Sequence, residues 1–190
     1  MDEFYQHEAL RKSLIIAGLK EIEEHGLSDF SLRRVASACG VSCAAPYRHF
    51  KSKNDLILAI INFINEQWRL LQDQICLAFK DDPRRRLTEI CIALIRFWIA
   101  NPHYRAVILM DSRELDKDQF REKSRITEDT RQLIYGFCKD RGFSEEESEK
   151  KVFAICATMY GATQMLSGGE LENTPHNIEM IKNLIEKELE

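Results

Sequence analysis

The sequence predicts an all-α protein. Three observations carry that expectation. Glycine and proline are scarce, 8 and 4 residues in a chain of 190, so few positions suit tight hairpins. Apolar residues recur at intervals of three and four, and no stretch alternates as a half-buried strand does. Ser, Thr, Asp and Asn recur just ahead of Pro or acidic residues, the pattern of helix starts. Together these give about nine helices.

The elements follow in order. In the first helix, 4–25, Leu10, Leu14, Ala17 and Ile22 have roughly helical spacing, and His25-Gly26 reads as a last turn and its closing glycine. Ser31 caps a short helix, 32–39, that Gly40 ends, and Ser42 opens another that reaches Phe50 at most. Ser52-x-x-Asp55 has the shape of a capping box and opens a long helix to about residue 79. Asp82-Pro83, Asn101-Pro102 and Thr174-Pro175 repeat one device, a capping side chain with Pro at the first helical position. They start helices 83–100, 102–111 and 175–189. A helix over 123–140 ends at Arg141-Gly142. Ser144-Glu145-Glu146-Glu147 then joins a capping box to acids that complement the helix dipole, and Gly168-Gly169 closes the helix it opens.

Composition bounds the function. Hydrophobic residues make up 44% and charged residues 31%, which excludes disorder and supplies a core. Apolar runs such as Leu56–Ile61 fall far short of the about 18 residues a membrane span needs. Met1-Asp2-Glu3 is acidic where a secretory signal is basic, so a cytoplasmic protein with no membrane partner is expected. The six cysteines, at 39, 43, 76, 91, 138 and 156, include no C-x2-C pair and mostly stand within apolar helical patterns. They are read as reduced packing residues, and no metal or cofactor is expected. A net charge of −4 conceals an asymmetry. Arg33, Arg34, Arg48, Lys51 and Lys53 lie between residues 31 and 53 with no Asp or Glu among them. An acid-free basic window in an acidic chain points to a polyanion.

Inside that window two short helices meet at Cys39-Gly40-Val41-Ser42. A turn of three or four residues containing Gly is what a helix-turn-helix requires. Val35, Val41 and Phe50 are placed to pack against the first helix, and Cys43, Ala44, Tyr47 and Arg48 to face outward. Charge and geometry therefore agree on one site. The runs Ser31-Leu32-Arg33-Arg34-Val35-Ala36 and Gly40-Val41-Ser42, and above all Tyr47-Arg48-His49-Phe50-Lys51-Ser52-Lys53-Asn54-Asp55-Leu56, carry a family resemblance. Over roughly residues 8–60 the chain resembles the DNA-binding domain of the TetR (tetracycline-repressor-like) family of bacterial transcription regulators.

The resemblance implies a three-helix DNA-binding domain, 1–53, and a helical ligand-binding and dimerisation domain, 54–190. It assigns 42–48 to the recognition helix, with Ser42, Cys43, Ala44 and Ala45 toward base edges or nearby phosphates. Tyr47, His49 and Lys53 would meet phosphates, and Ser31, Arg33 and Arg48 complete the DNA-binding set. Two departures matter. Pro46 stands where Leu is usual and removes an early helical hydrogen bond. Ala44 and Ala45 offer only methyl groups, so base reading rests on Arg33, Arg48 and Ser42 or partly on DNA shape. Arg34 is equally suited to pairing with Asp29 or Glu24.

For residues 54–190 the resemblance implies a pocket for an unidentified small molecule. Candidates to line it are Trp68, Phe97, Trp98, Tyr104, Met110, Phe120, Tyr135, Phe153, Met159 and Tyr160. The last two helices are the expected homodimer interface, through Ile155, Met159, Thr163, Leu166, Ile178, Ile181 and Ile185. The function expected is a ligand-released repressor reading a near-palindromic operator. Two other classes compete. A thiol redox sensor would use Cys39 and Cys43, which flank the turn inside the basic window. An all-α di-metal enzyme would need Glu-x-x-His pairs, and none of the five histidines has an acid three positions earlier.

Overall fold

The computed structural model describes residues 2–109 and 115–190. Its α-helices are α1 Asp2–His25, α2 Leu32–Ala38, α3 Lys53–Ala78, α4 Pro83–Ala100, α5 Pro102–Leu109, α6 Lys117–Asp140, α7 Glu145–Gly168 and α8 Pro175–Glu188. A three-residue 3-10 turn covers Pro46–Arg48, and no strand occurs among the described residues. Eight α-helices thus stand among the described residues where about nine were expected. The missing one is the helix expected from Ser42.

Caps explain most of the boundaries. The side chains of Asp82, Ser144 and Thr174 accept from the backbone N–H groups of Arg85, Glu147 and Asn177. Glu147 returns a bond to the Ser144 N–H, which completes the capping box. Two details differ from expectation. Asn101 donates its amide to the Phe97 carbonyl, closing α4 from behind. Helix α6 begins at Lys117, six residues earlier than expected. Asp116 and Gln119 exchange backbone-to-side-chain bonds of 2.9 and 3.0 Å, a capping box built from Asp and Gln.

The chain packs as two compact units. The first comprises Met1–Gln67 and Pro102–Arg125, the second Trp68–Asn101 and Ile126–Glu190. In the first, Leu14, Ile15, Leu19 and Ile22 of α1 are buried, as are Val35 and Ala36 of α2 and Leu56, Ile57, Ile60, Ile61 and Ile64 of α3. Each of these Leu, Ile and Val side chains contributes about 1.5–3 kcal/mol of transfer free energy. Gly18 permits the close approach of α1 to α3, because a Cβ there would lie 2.6 Å from the Ile60 Cδ1. Helix α5 packs on α1, where His103 meets Glu23. In the second unit α4 packs on both α7 and α8, and these two pack on each other. Among the described residues no helix is long and apolar enough to cross a membrane.

Candidate nucleic-acid interface

A buried carboxylate sets the position of α2. Glu21, on α1, is only 6% exposed and so requires donors. It accepts the Ser31 N–H at 3.0 Å and the Arg34 Nε at 2.8 Å, and Arg34 Nη2 lies 2.6 Å away. Asp29 Oδ2 shares that Nη2 at 3.2 Å. Ser31 is the N-cap of α2, its hydroxyl accepting from the Arg34 N–H. Ser31 and Arg34 therefore fasten the start of the helix.

The turn after α2 has the hydrogen bonds of a Schellman motif. Val41 N–H donates to the Ala36 carbonyl and Gly40 N–H to that of Ser37, each at 3.0 Å. Gly40 adopts φ +67°, a conformation that favours a residue without Cβ.

Beyond the turn the backbone coils more tightly than an α-helix. Ala45 N–H donates to Ser42 O, and Arg48 N–H to Ala45 O, both in the i→i−3 pattern. Pro46 has no N–H to offer Ser42, so the first α-type bond is absent by chemistry. Such a bond forms only at the end, where Phe50 N–H reaches the Pro46 carbonyl at 2.9 Å. The expected recognition helix over 42–48 is corrected to a turn and the single 3-10 turn Pro46–Arg48. Buried Pro46 and Phe50 anchor this segment beneath.

Most of the basic window reaches the surface. Arg33, Ser42, Cys43, Ala44, Arg48 and Lys51 are exposed, as is Tyr47 at 59%. Ala45, Ser31 and His49 are half-buried. No ion pair engages Arg33, Arg48 or Lys51 among the described residues. Lys53 instead donates its amine to the Leu27 carbonyl at 2.9 Å and sits over the Phe30 ring. Two residues of α1 that sequence reasoning did not single out join this surface. His7 stacks on His49 with ring centroids 4.1 Å apart, and the Arg11 guanidinium lies over Phe50. Their separation of some forty positions from His49 and Phe50 left no local signal. Burial pushes the Cys39 thiol up, the reverse of what a sensing thiolate needs.

The remaining candidates are dispersed. Trp68, Phe97 and Trp98 form a buried aromatic cluster, with centroids 5.5 and 5.0 Å apart. Met159 is buried, Tyr135 half-buried, and Phe153 and Tyr160 are exposed. Tyr104 and Phe120 belong to the other compact unit. Met110 lies outside the described residues. Of the expected interface residues, Ile155, Met159, Leu166, Ile178, Ile181 and Ile185 are buried in the chain's own core, and Thr163 is half-buried. The six buried positions on α7 and α8 face inward, so those six are corrected from dimer contacts to core residues. The exposed apolar side chains on these helices are Phe153, Tyr160, Met165, Met180 and Leu184.

A short helix, a glycine turn and a cationic surface segment define a helix-turn-helix head on an all-α body. Comparison with known proteins agrees. The family model for bacterial regulatory proteins, tetR family, matches residues 14–60. The "Probable acrEF/envCD operon repressor" of Escherichia coli (strain K12) is 24% identical over 146 residues, 70% of this chain and 63% of that protein. The chain thus aligns with less than two thirds of this relative's length. Among solved structures, a TetR family transcription regulator from Marinobacter aquaeolei VT8 superposes with a TM-score of 0.72 at 19% identity, covering 99% of this chain and 98% of the other. Native NalD, the secondary repressor of the MexAB-OprM multidrug efflux pump in Pseudomonas aeruginosa, gives 0.67 at 20% identity over 96% of both chains. Residues 14–60 thus match the tetR family of bacterial regulatory proteins, and the fold of the whole chain is similar to that of solved tetR-family structures.

Proposed function

We propose that this protein is a transcription repressor whose residues 1–53 bind DNA and whose residues 54–190 carry dimerisation and ligand response. One observation carries the reading. The acid-free window surfaces around the turn as Arg33, Tyr47, Arg48 and Lys51, a cationic surface beside a helix-turn-helix. The repressors among its relatives support the direction of control. As a homodimer the protein reads a near-palindromic operator, one half-site for each head. The exposed stripe of Phe153, Tyr160 and Met165 on α7 with Met180 and Leu184 on α8 supports the pairing.

A small molecule releases the DNA by favouring another conformation, each partner weakening the other by the same coupling free energy. Buried Trp68 Nε1 supports a ligand with a polar acceptor, since it has no hydrogen-bond partner among the described residues. The test is selection of bound duplexes from random DNA, followed by binding at several salt concentrations. Enrichment of a palindrome is expected, with a salt slope that falls by about one in Arg48→Ala if that residue meets a phosphate. Recovery of no common sequence, with binding lost at moderate salt, would sink the reading.

A further inference from the structure

The contact between α1 and the end of the 3-10 turn bears directly on DNA binding. His7 and His49 are stacked at 4.1 Å with their planes 38° apart. His49 Nδ1 is enclosed and has no hydrogen-bond partner among the described residues. A neutral imidazole tolerates this by keeping its hydrogen on Nε2, whereas an imidazolium must place an N–H where nothing accepts it. The charged groups facing His49 are His7, Glu8 and Arg11 from α1 and Arg48 from its own segment. Glu8 is the one carboxylate against two guanidiniums and a second imidazole. Desolvation first, then His7 and Arg11, accordingly hold His49 below the usual histidine range.

We propose that His7 extends the nucleic-acid interface onto α1, and that the His7–His49 stack makes DNA binding proton-linked. This rests on the DNA-binding reading above, in which His49 meets a phosphate. In the free protein the pair resists a charge. A phosphate beside it reverses the local field and favours the imidazolium, so one proton passes from solvent to the stack as DNA binds. Affinity for DNA rises as pH falls from the neutral range toward the free protein's titration midpoint. His7, the stacking partner, lowers that midpoint further than desolvation alone does.

The test uses the full chain and two readouts. Imidazole NMR titrations of the free protein are compared for wild type, His7→Gln and His176→Gln, the last a control on α8. His49 is expected to titrate below its ordinary value of about 6.5 in wild type and the control, and to move up toward it in His7→Gln. A fluorescent duplex of generic sequence is then titrated at constant ionic strength from pH 8 to 6. Wild-type affinity is expected to rise by roughly three- to tenfold, a tenfold change corresponding to one unit of pKa shift, and His49→Gln to abolish most of that rise. An unchanged His49 midpoint in His7→Gln overturns the coupling. Duplex binding that ignores pH overturns the proton linkage while leaving the regulator intact. A shifted titration with no duplex binding at any pH removes the DNA-binding reading itself, and the proposal with it.

Discussion

Glu21 shows how one side chain fixes the geometry that its neighbours display. Its carboxylate holds the N–H of Ser31, the N-cap of α2, and the Arg34 side chain together, so Arg34 adds little free charge to the basic surface. Glu21→Ala leaves those donors without their acceptor. It is expected to lower unfolding free energy by about 2 kcal/mol, the scale for hydrogen bonds to a charged group, with Glu21→Gln losing less. Urea denaturation measures both. The Asp29 half of this pairing was legible in the sequence, since a short loop brings it close to Arg34. The Glu21 half was not, because burial of a carboxylate is a property of packing. A second expectation concerns acid. His49 has a lowered folded-state pKa, so below about pH 6.5 the unfolded chain binds more protons than the folded one. The stability it contributes is present above that pH and is lost as pH falls through the folded value. Thermal unfolding of the free protein at pH 7.5 and 5.5 is therefore expected to differ less in His49→Gln than in wild type. Stability and DNA affinity then respond to acid in opposite senses.

At the scale of elements, what the sequence determined locally was readable and what competing interactions determined was not. The capping box at Ser144 and the Pro-led starts of α4 and α8 follow from side-chain chemistry within four residues. The start of α6 was equally local, in Asp116 and Gln119, but the polar run Lys117-Asp118-Gln119 hid it from a search for apolar periodicity. Pro46 is the sharper case. The missing N–H was legible, while its spread into a wholly 3-10 segment depended on Pro46 being buried and Phe50 being anchored. Pro46→Leu keeps an apolar side chain in that buried place and returns an N–H that can reach Ser42 O. Slower amide exchange across residues 46–49 is expected as the segment gains α-type bonds. Arg33, Arg48 and Lys51 are untouched by the change, so the salt slope of DNA binding should hold even if base preference alters. A slope that collapses would mean that the tight turn itself positions the cations.

For the whole molecule the proposed homodimer turns on which face meets a second copy. The breadth of the apolar stripe on α7 was evident from sequence, but periodicity gives both halves of such a stripe the same appearance. The fold separates them. Val152, Ile155, Met159, Ala162 and Leu166 are buried against the chain itself, while Phe153, Tyr160 and Met165 point outward. Gly161 lies between them with nothing within 4 Å of the position a Cβ would take, which leaves room for another helix. On α8, Met180 and Leu184 are exposed one turn apart and line a shallow hollow with His176, Glu179, Asn183 and Lys187. Single exposed apolar residues are ordinary, but five on two mutually packed helices are the pattern of an interface core. Phe153→Asp combined with Tyr160→Asp places two charges there without entering the monomer core. Sedimentation is expected to give twice the chain mass for wild type and a monomer for the variant, with helical circular dichroism retained. Palindromic DNA should then bind at least tenfold more weakly, since the second head is no longer carried on the same complex. Ile155→Asp, at a position with no exposure, is expected to unfold the chain instead. A double variant that remains dimeric would place the contact on another face, and the inward and outward halves of α7 would need another explanation.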